Sequence, residues 1–261
     1  MKNILILSVF FFQTILITQA QQHWKEVYSK KYTGVFYDIT FSDSLNGYVV
    51  GQNGIMFKTV DGGDTWDSLS SGTKQTLCSI SFSDKNNGYA CGYNGTIIKT
   101  CDAGKTWVLQ TTQTTDYFKV ILARNKNEVF AFGARGRFVK TIDGGKTWQG
   151  IKRFTLHDIN CVQFVTGKTG YCSSGSYFED NAELFKTIDS GKTWKKIENS
   201  NINLGKVYFT DTINGFAIDC FKKIFKTKDG GRNWQNIYTN QEPAVYLLRS
   251  EEHTSELQSQ R

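Results

Sequence analysis

At 261 residues and a formal charge of +7, the chain is long enough for one domain with a sizeable core. Frequent glycine, 14% aromatic residues and a single proline, Pro243, suit an all-β exported domain. No Pro/Ser-rich linker and no helix-period segment of useful length appears, which excludes a multi-domain or helical-bundle chain.

The N-terminus is predicted to be a signal peptide over residues 1–20. Met1-Lys2-Asn3 is a short positive start, and Ile4–Ile17 is an apolar run broken only by Gln13 and Thr14. Thr18-Gln19-Ala20 ends on a small residue, as a cleavage site requires. The run is too short and wrongly flanked for a stable membrane span after cleavage. The expected location is therefore outside the cytoplasm, in the periplasm or beyond the cell. No cysteine follows the run, which argues against a lipoprotein.

Residues 21–248 carry a repeat. The tryptophans Trp24, Trp66, Trp107, Trp148, Trp194 and Trp234 lie 42, 41, 41, 46 and 40 residues apart, and a fixed period near forty signals a repeat architecture. Five of them close a box of the form apolar-Lys-Thr-x-Asp-x-Gly-x-(Thr or Asn)-Trp, first seen at Phe57–Trp66. Its aspartates are Asp61, Asp102, Asp143, Asp189 and Asp229, suited to accept N–H bonds inside their own turn. Its glycines are Gly63, Gly104, Gly145, Gly191 and Gly231, tolerant of positive φ. Trp66, Trp107, Trp148, Trp194 and Trp234 offer large rings to pack between neighbouring units. A catalytic carboxylate is not needed five times at one spacing, so these are read as structural.

Each unit divides into four short strands. In the second these are Cys78–Ser83, Asn87–Gly92, Thr96–Thr100 and Thr106–Gln110. Four strands per forty-odd residues predicts a β-propeller blade, and five units span about residues 35–70, 76–111, 116–152, 158–199 and 205–239. The boxes resemble the Asp-box, or bacterial neuraminidase, repeat. With the preceding Ile39-Thr-Phe-Ser-Asp43 and Asn46–Gly51 segments, the unit is similar to the β-propeller family of photosystem II assembly and stability factors, over about residues 24–240. That resemblance implies a propeller, with the first strand of each unit lining the channel and the box at the periphery. It also implies a non-catalytic protein-binding or assembly role. The family's work on photosystems is not carried over, and the matching boxes are scaffold rather than partner contacts.

The ends bear on closure. His23–Tyr28 matches only a last strand, and Ala244–Leu248 suits a first strand. Residues 249–261 form a polar tail foreign to the repeat, and no sixth box appears, so the expectation is an incomplete, truncated ring. Unit four carries extra residues between Tyr171 and Phe185, expected in a loop. The six cysteines lack metal spacing, and Cys91–Cys101 and Cys161–Cys172 are the local disulfide candidates.

Chemistry-bearing residues outside the boxes are few. Asp43, Asp84 and Asp211 share a turn column and read as structural. Asp116 and Asp158 are read as one column at the entry to the first strand, with Asp38 nearby and Tyr117 beside them. This carboxylate-and-aromatic group is the candidate ligand or partner site. Arg135 and Arg137, with Lys222 and Lys223 at the matching hairpin, form a candidate basic patch. His157 is the only histidine between Trp24 and Leu248, and no Ser-His-Asp, metal or Gly-x-Ser-x-Gly constellation is present. A sialidase would need an Arg-Ile-Pro segment that the chain lacks. Much of the positive charge is locked to the repeat and spread round a rim, so nucleic acid is excluded as a partner. The sequence thus points to a scaffold without catalytic residues, metal or cofactor, binding a protein or an acidic or glycan surface. A secreted Asp-box glycoside hydrolase or glycan-binding propeller is the alternative.

Overall fold

Alternating short strands separated by turns such as Asp-x-x-Asn-Gly and Asp-x-Gly fold as antiparallel sheets, because each turn satisfies its own backbone and returns the chain on itself. The computed structural model describes residues 34–175, 182–198, 204–219 and 223–239. Blade one comprises β1 (Phe36–Phe41), β2 (Gly47–Gly51), β3 (Met56–Thr59) and β4 (Asp67–Leu69). Blade two comprises β5 (Leu77–Phe82), β6 (Gly88–Gly92), β7 (Ile97–Thr100) and β8 (Val108–Leu109). Blade three holds β9 (Phe118–Ala123), β10 (Val129–Gly133), β11 (Phe138–Thr141) and β12 (Gln149–Ile151). Blade four holds β13 (Ile159–Phe164), β14 (Gly170–Ser174), β15 (Glu183–Thr187) and β16 (Lys195–Lys196). Blade five holds β17 (Leu204–Phe209), β18 (Gly215–Asp219), β19 (Lys223–Thr227) and β20 (Gln235–Thr239).

In every blade the four strands pair in chain order. The first strands pack side by side, β1 on β5, β5 on β9, β9 on β13 and β13 on β17, which makes them the inner layer. The box joins the third and fourth strands and so lies at the outer edge. These are propeller blades, and no ladder joins the first sheet to the fifth among the described residues. The Trp24 strand, Ala244–Leu248, the tail, Cys220, Lys222 and most of the extra segment in unit four lie outside those residues.

The core sits between blades. Four buried clusters each join the face of one blade to the next; one unites Tyr48, Val50 and Met56 with Leu77, Ile80, Ile98 and Trp107. Trp107, Trp148 and Trp194 are buried against the preceding blade. A polar latch completes these seams. The Tyr48 hydroxyl and Lys58 Nζ both donate to the Ala103 carbonyl of the next blade, at 2.7 and 2.8 Å, with the ammonium over the Tyr48 ring. Tyr171 and Lys186 repeat the arrangement on the Thr212 carbonyl, and Lys99 donates to Gly144. Burial pushes the Tyr48 and Tyr171 phenols up to about 12, so they stay donors. In blade three Phe130 replaces the tyrosine, and Lys140 turns to Glu128 at 2.7 Å. Lys58, Lys99 and Lys186 are therefore seam elements as well as surface charge.

The box is closed by its threonine and aspartate. In the first, the Thr59 hydroxyl donates to Asp61 Oδ1 at 2.6 Å and accepts the Gly63 N–H at 2.9 Å. Asp61 also accepts the Thr65 N–H and hydroxyl. The same set recurs at Asp102, Asp143 and Asp189, and at Asp229 with Asn233 as the donor. Asp43, Asp84 and Asp211 hold their turns through N–H bonds at 2.8–2.9 Å, as read from sequence.

The hydroxyl and N–H bonds of the turn, led by the partner threonine's hydroxyl in both, hold Asp102 and Asp189 at about 2. Asp229 sits at about 2 chiefly through the Asn233 N–H. A carboxyl depressed in the folded state contributes stability that is present above its unfolded pKa of about 4 and is lost as pH falls towards the folded value. Urea midpoints followed by tryptophan fluorescence should hold steady from about pH 7 to 5 and fall steeply below about pH 4. A midpoint unchanged down to pH ~2 would contradict the box bonding.

Neither of the two local disulfide candidates is formed: Cys91, Cys101, Cys161 and Cys172 are free thiols. Cys91 pairs with Ile97 on β7, whereas Cys101 follows the far end of that strand, beyond disulfide reach. Cys161 pairs with Ser173 and Cys172 with Val162, so one residue of offset sends the two thiols to opposite faces of blade four.

Candidate binding face

In blades one to three the second and third strands are joined by a hairpin that meets the segment leading into the blade's first strand. All these loops lie at the end of the propeller opposite the boxes. The connector docks through its carbonyls: Gln52, Tyr93 and Ala134 N–H donate to Val35, Thr76 and Tyr117. The next hairpin residue is left-handed: Asn53 at φ 55°, Asn94 at φ 53° and Arg135 at φ 55°. Asparagine takes this conformation readily, and arginine does so at some cost, so blade three departs from its siblings where a charge is displayed.

Around Arg135 the structure gathers five of the six candidate residues. Arg137 grips both oxygens of Asp116, at 2.8 and 3.0 Å, and Asp116 also accepts the Thr114 hydroxyl at 2.7 Å. Asp158 accepts the Arg135 N–H at 3.0 Å and pairs with Lys119 Nζ at 2.8 Å. Tyr117 meets Tyr93 edge to face at 4.6 Å between ring centroids. The Arg135 and Arg137 side chains remain exposed. A recess of about 430 Å3 opens beside the Arg137–Asp116 pair, walled by Thr114, Phe138, Trp148, Ile151 and Arg153.

The sixth candidate stands apart. Asp38 lies within β1 and accepts the Ser79 hydroxyl and the Ile80 N–H of β5, both at 2.9 Å. It clamps blade one to blade two. The shared column for Asp116 and Asp158 is also corrected. Gly133 pairs with Phe118 and Ser174 with Ile159, so Asp158 is equivalent to Tyr117 and Asp116 to His157. Lys223 is described, and its N–H serves Asp219. Lys119 and Arg153 were missed. Lys119 is legible only by alignment: it is the one cation in a column held elsewhere by Tyr37, Cys78, Asn160 and Gly205.

The electrostatics suit recognition more than acid–base work. Burial works against the charge on Asp116, but the Thr114 hydroxyl and the Arg137 guanidinium outweigh it and hold the carboxyl below its ordinary value. For Asp158 burial is likewise outweighed, by Lys119 and the Arg135 N–H. Both stay ionised, whereas a glycosidase pair needs one carboxyl raised to act as acid.

Residues 16–73 and 66–158 match the family described as Photosynthesis system II assembly factor YCF48. No curated protein matches the chain. Among solved structures, a YCF48 bound to D1 peptide is similar at TM-score 0.51 and 17% identity, covering 80% of this chain and 84% of that one. YCF48 from Cyanidioschyzon merolae gives 0.52 and 17%, covering 82% and 88%. A GH74 enzyme from Niastella koreensis gives 0.61 and 14%, covering 77% of this chain but only 38% of the enzyme. At these identities the structural likenesses establish the propeller fold.

Proposed function

Since the chain belongs to the photosynthesis system II assembly factor YCF48 family, we propose that it is an exported, non-catalytic propeller that binds a segment of a partner protein. The contact is the hairpin end of blades two to four. The observation that carries this reading is the pair of exposed arginines: Asp158 holds the Arg135 backbone N–H, and Asp116 holds the Arg137 guanidinium. The Arg137 guanidinium, held through Nη1 alone by both Asp116 oxygens, keeps its other N–H groups for a further carboxylate, which favours an acidic or carboxylate-bearing segment. Tyr93 and Tyr117 add aromatic contact, and the recess beside Arg137 adds a largely polar wall. That a similar YCF48 structure holds a D1 peptide supports a protein segment as the ligand. Export rests on the apolar leader and is tested by mass spectrometry of the mature N-terminus, expected near Gln21.

Arg135→Ala/Arg137→Ala should abolish capture of the partner from an envelope extract while the melting temperature stays within a few degrees. Capture that survives the double substitution sinks the assignment of this face. The alternative, a glycan-active propeller, draws on the GH74 likeness. Its test is a glycan array with a fluorogenic glycoside panel. Turnover lost on Asp116→Ala or Asp158→Ala would replace the scaffold reading with an enzyme.

A further inference from the structure

We propose that the opposite end of the propeller, formed by the box turns, is a contact surface for an anionic lipid bilayer. Within each blade the box turn is tied to the turn between the first two strands. Gly62, Gly144, Ser190 and Gly230 N–H donate to the carbonyls of Leu45, Asn127, Lys168 and Ile213, so both turns share one end. That end displays large aliphatic side chains that no described residue packs over. Leu45, Val60, Ile142, Ile188 and Ile213 are between 52% and 68% exposed. Val60, Ile142 and Ile188 occupy the same box position, between the buried threonine and the bonded aspartate, so the fold holds each of them outward.

The polar groups at this end sort by freedom. Asp61, Asp143 and Asp189 each have both oxygens engaged by the donors of their own turn. Lys105, Lys146, Lys192 and Arg232 sit exposed in the box turns, and Lys85 and Lys126 in the turns beside them. These box carboxylates are thus held close to the backbone while the cations of blades two to five extend outward; in the first box an exposed acid, Asp64, takes their position. Long cationic side chains reach phosphate, and short aliphatic tips enter the headgroup boundary.

The spacing selects the partner. The aliphatic residues come from four blades, Leu45 and Val60 sharing the first, and are spread along the row of blades rather than gathered into one interface core. A fluid planar surface accepts separate tips one by one. Contact at this end leaves the Arg135 face, at the other end, open to its own partner.

The test is flotation of the full chain with phosphatidylglycerol/phosphatidylcholine vesicles and with phosphatidylcholine vesicles alone, at low and high salt. Flotation with the anionic vesicles that weakens as salt rises is expected. Val60→Ser/Ile142→Ser/Ile188→Ser should reduce the bound fraction roughly tenfold, with the melt unchanged, because these tips are exposed. Lys105→Glu/Lys146→Glu/Lys192→Glu should remove the preference for anionic vesicles. No flotation overturns the proposal. So does flotation that neither set of substitutions alters, as retention through the apolar stretch Ile4–Ile17 would give. If vesicles fail to bind while the serine variant loses a protein from an envelope extract, the face docks protein and the lipid assignment falls.

Discussion

Trp194→Ala should lower the unfolding free energy by about 3–5 kcal/mol, read as a fall in urea midpoint with the slope retained. The ring is 8% exposed and sits at the seam of blades three and four. It stacks on Phe154 at 5.5 Å and meets Phe132 and Phe164 edge-on at 6.2 and 5.9 Å. Its Nε1–H reaches no protein acceptor, so the loss is one of packing and cavity formation rather than of a hydrogen bond. Trp66→Ala provides the contrast. That ring is only half-buried and its indole donates to the Gly63 carbonyl of its own turn, so the loss should be clearly smaller. In a nearest-neighbour array the Trp194 change should also loosen blades three and four from each other. Amide exchange should then quicken in β10, β11, β14 and β15 before β2 and β3. A change below about 1 kcal/mol would mean that the seam repacks around the void.

Architecture was legible because it is periodic. The Asp-Gly-Gly turns, the tryptophans and the alternating strands recur every forty residues, and each role is satisfied within its own turn or against the next copy. What failed was what depends on register between repeats. Asp116 and Asp158 stand 42 residues apart, but the strands they precede start 41 apart, at Phe118 and Ile159. One residue of slip moves a side chain from one column to the next and gave the two aspartates a kinship they lack. Asp38 was grouped with them because of its carboxylate, yet its acceptors are spent on Ser79 and Ile80 of the next blade, donors 41 and 42 residues away. The box lysines were read as charge round a rim, although Lys58, Lys99 and Lys186 close seams on carbonyls that no local pattern marks. The arginine pair was legible as charge, but the hold of Asp116 on the Arg137 side chain and of Asp158 on the Arg135 backbone follows only from the way the connectors fold over the hairpins.

Gly95→Ala should cost about 3 kcal/mol or more and disable the binding face as well, because two penalties fall on one atom. Gly95 sits at φ +67°, where an L side chain costs about 1–2 kcal/mol. A Cβ there would also lie 1.8 Å from the Thr114 carbonyl oxygen and 2.8 Å from its carbon. Both partners are backbone, so no rotamer relieves the clash. The Gly95 N–H donates to the Asp116 carbonyl at 2.8 Å, and its own carbonyl accepts the Thr112 hydroxyl at 2.9 Å. The connector from Thr112 to Asp116 is thus the segment that must move. Moving it draws Asp116 away from Arg137, so partner capture should fall further than the loss of folded protein explains. Gly167→Ala is the matched control: nothing lies within 4 Å of its Cβ, and stability should stay within about 0.5 kcal/mol. Equal melts for the two variants would show that the connector does not press on the hairpin, and that Asp116 is positioned by Arg137 alone.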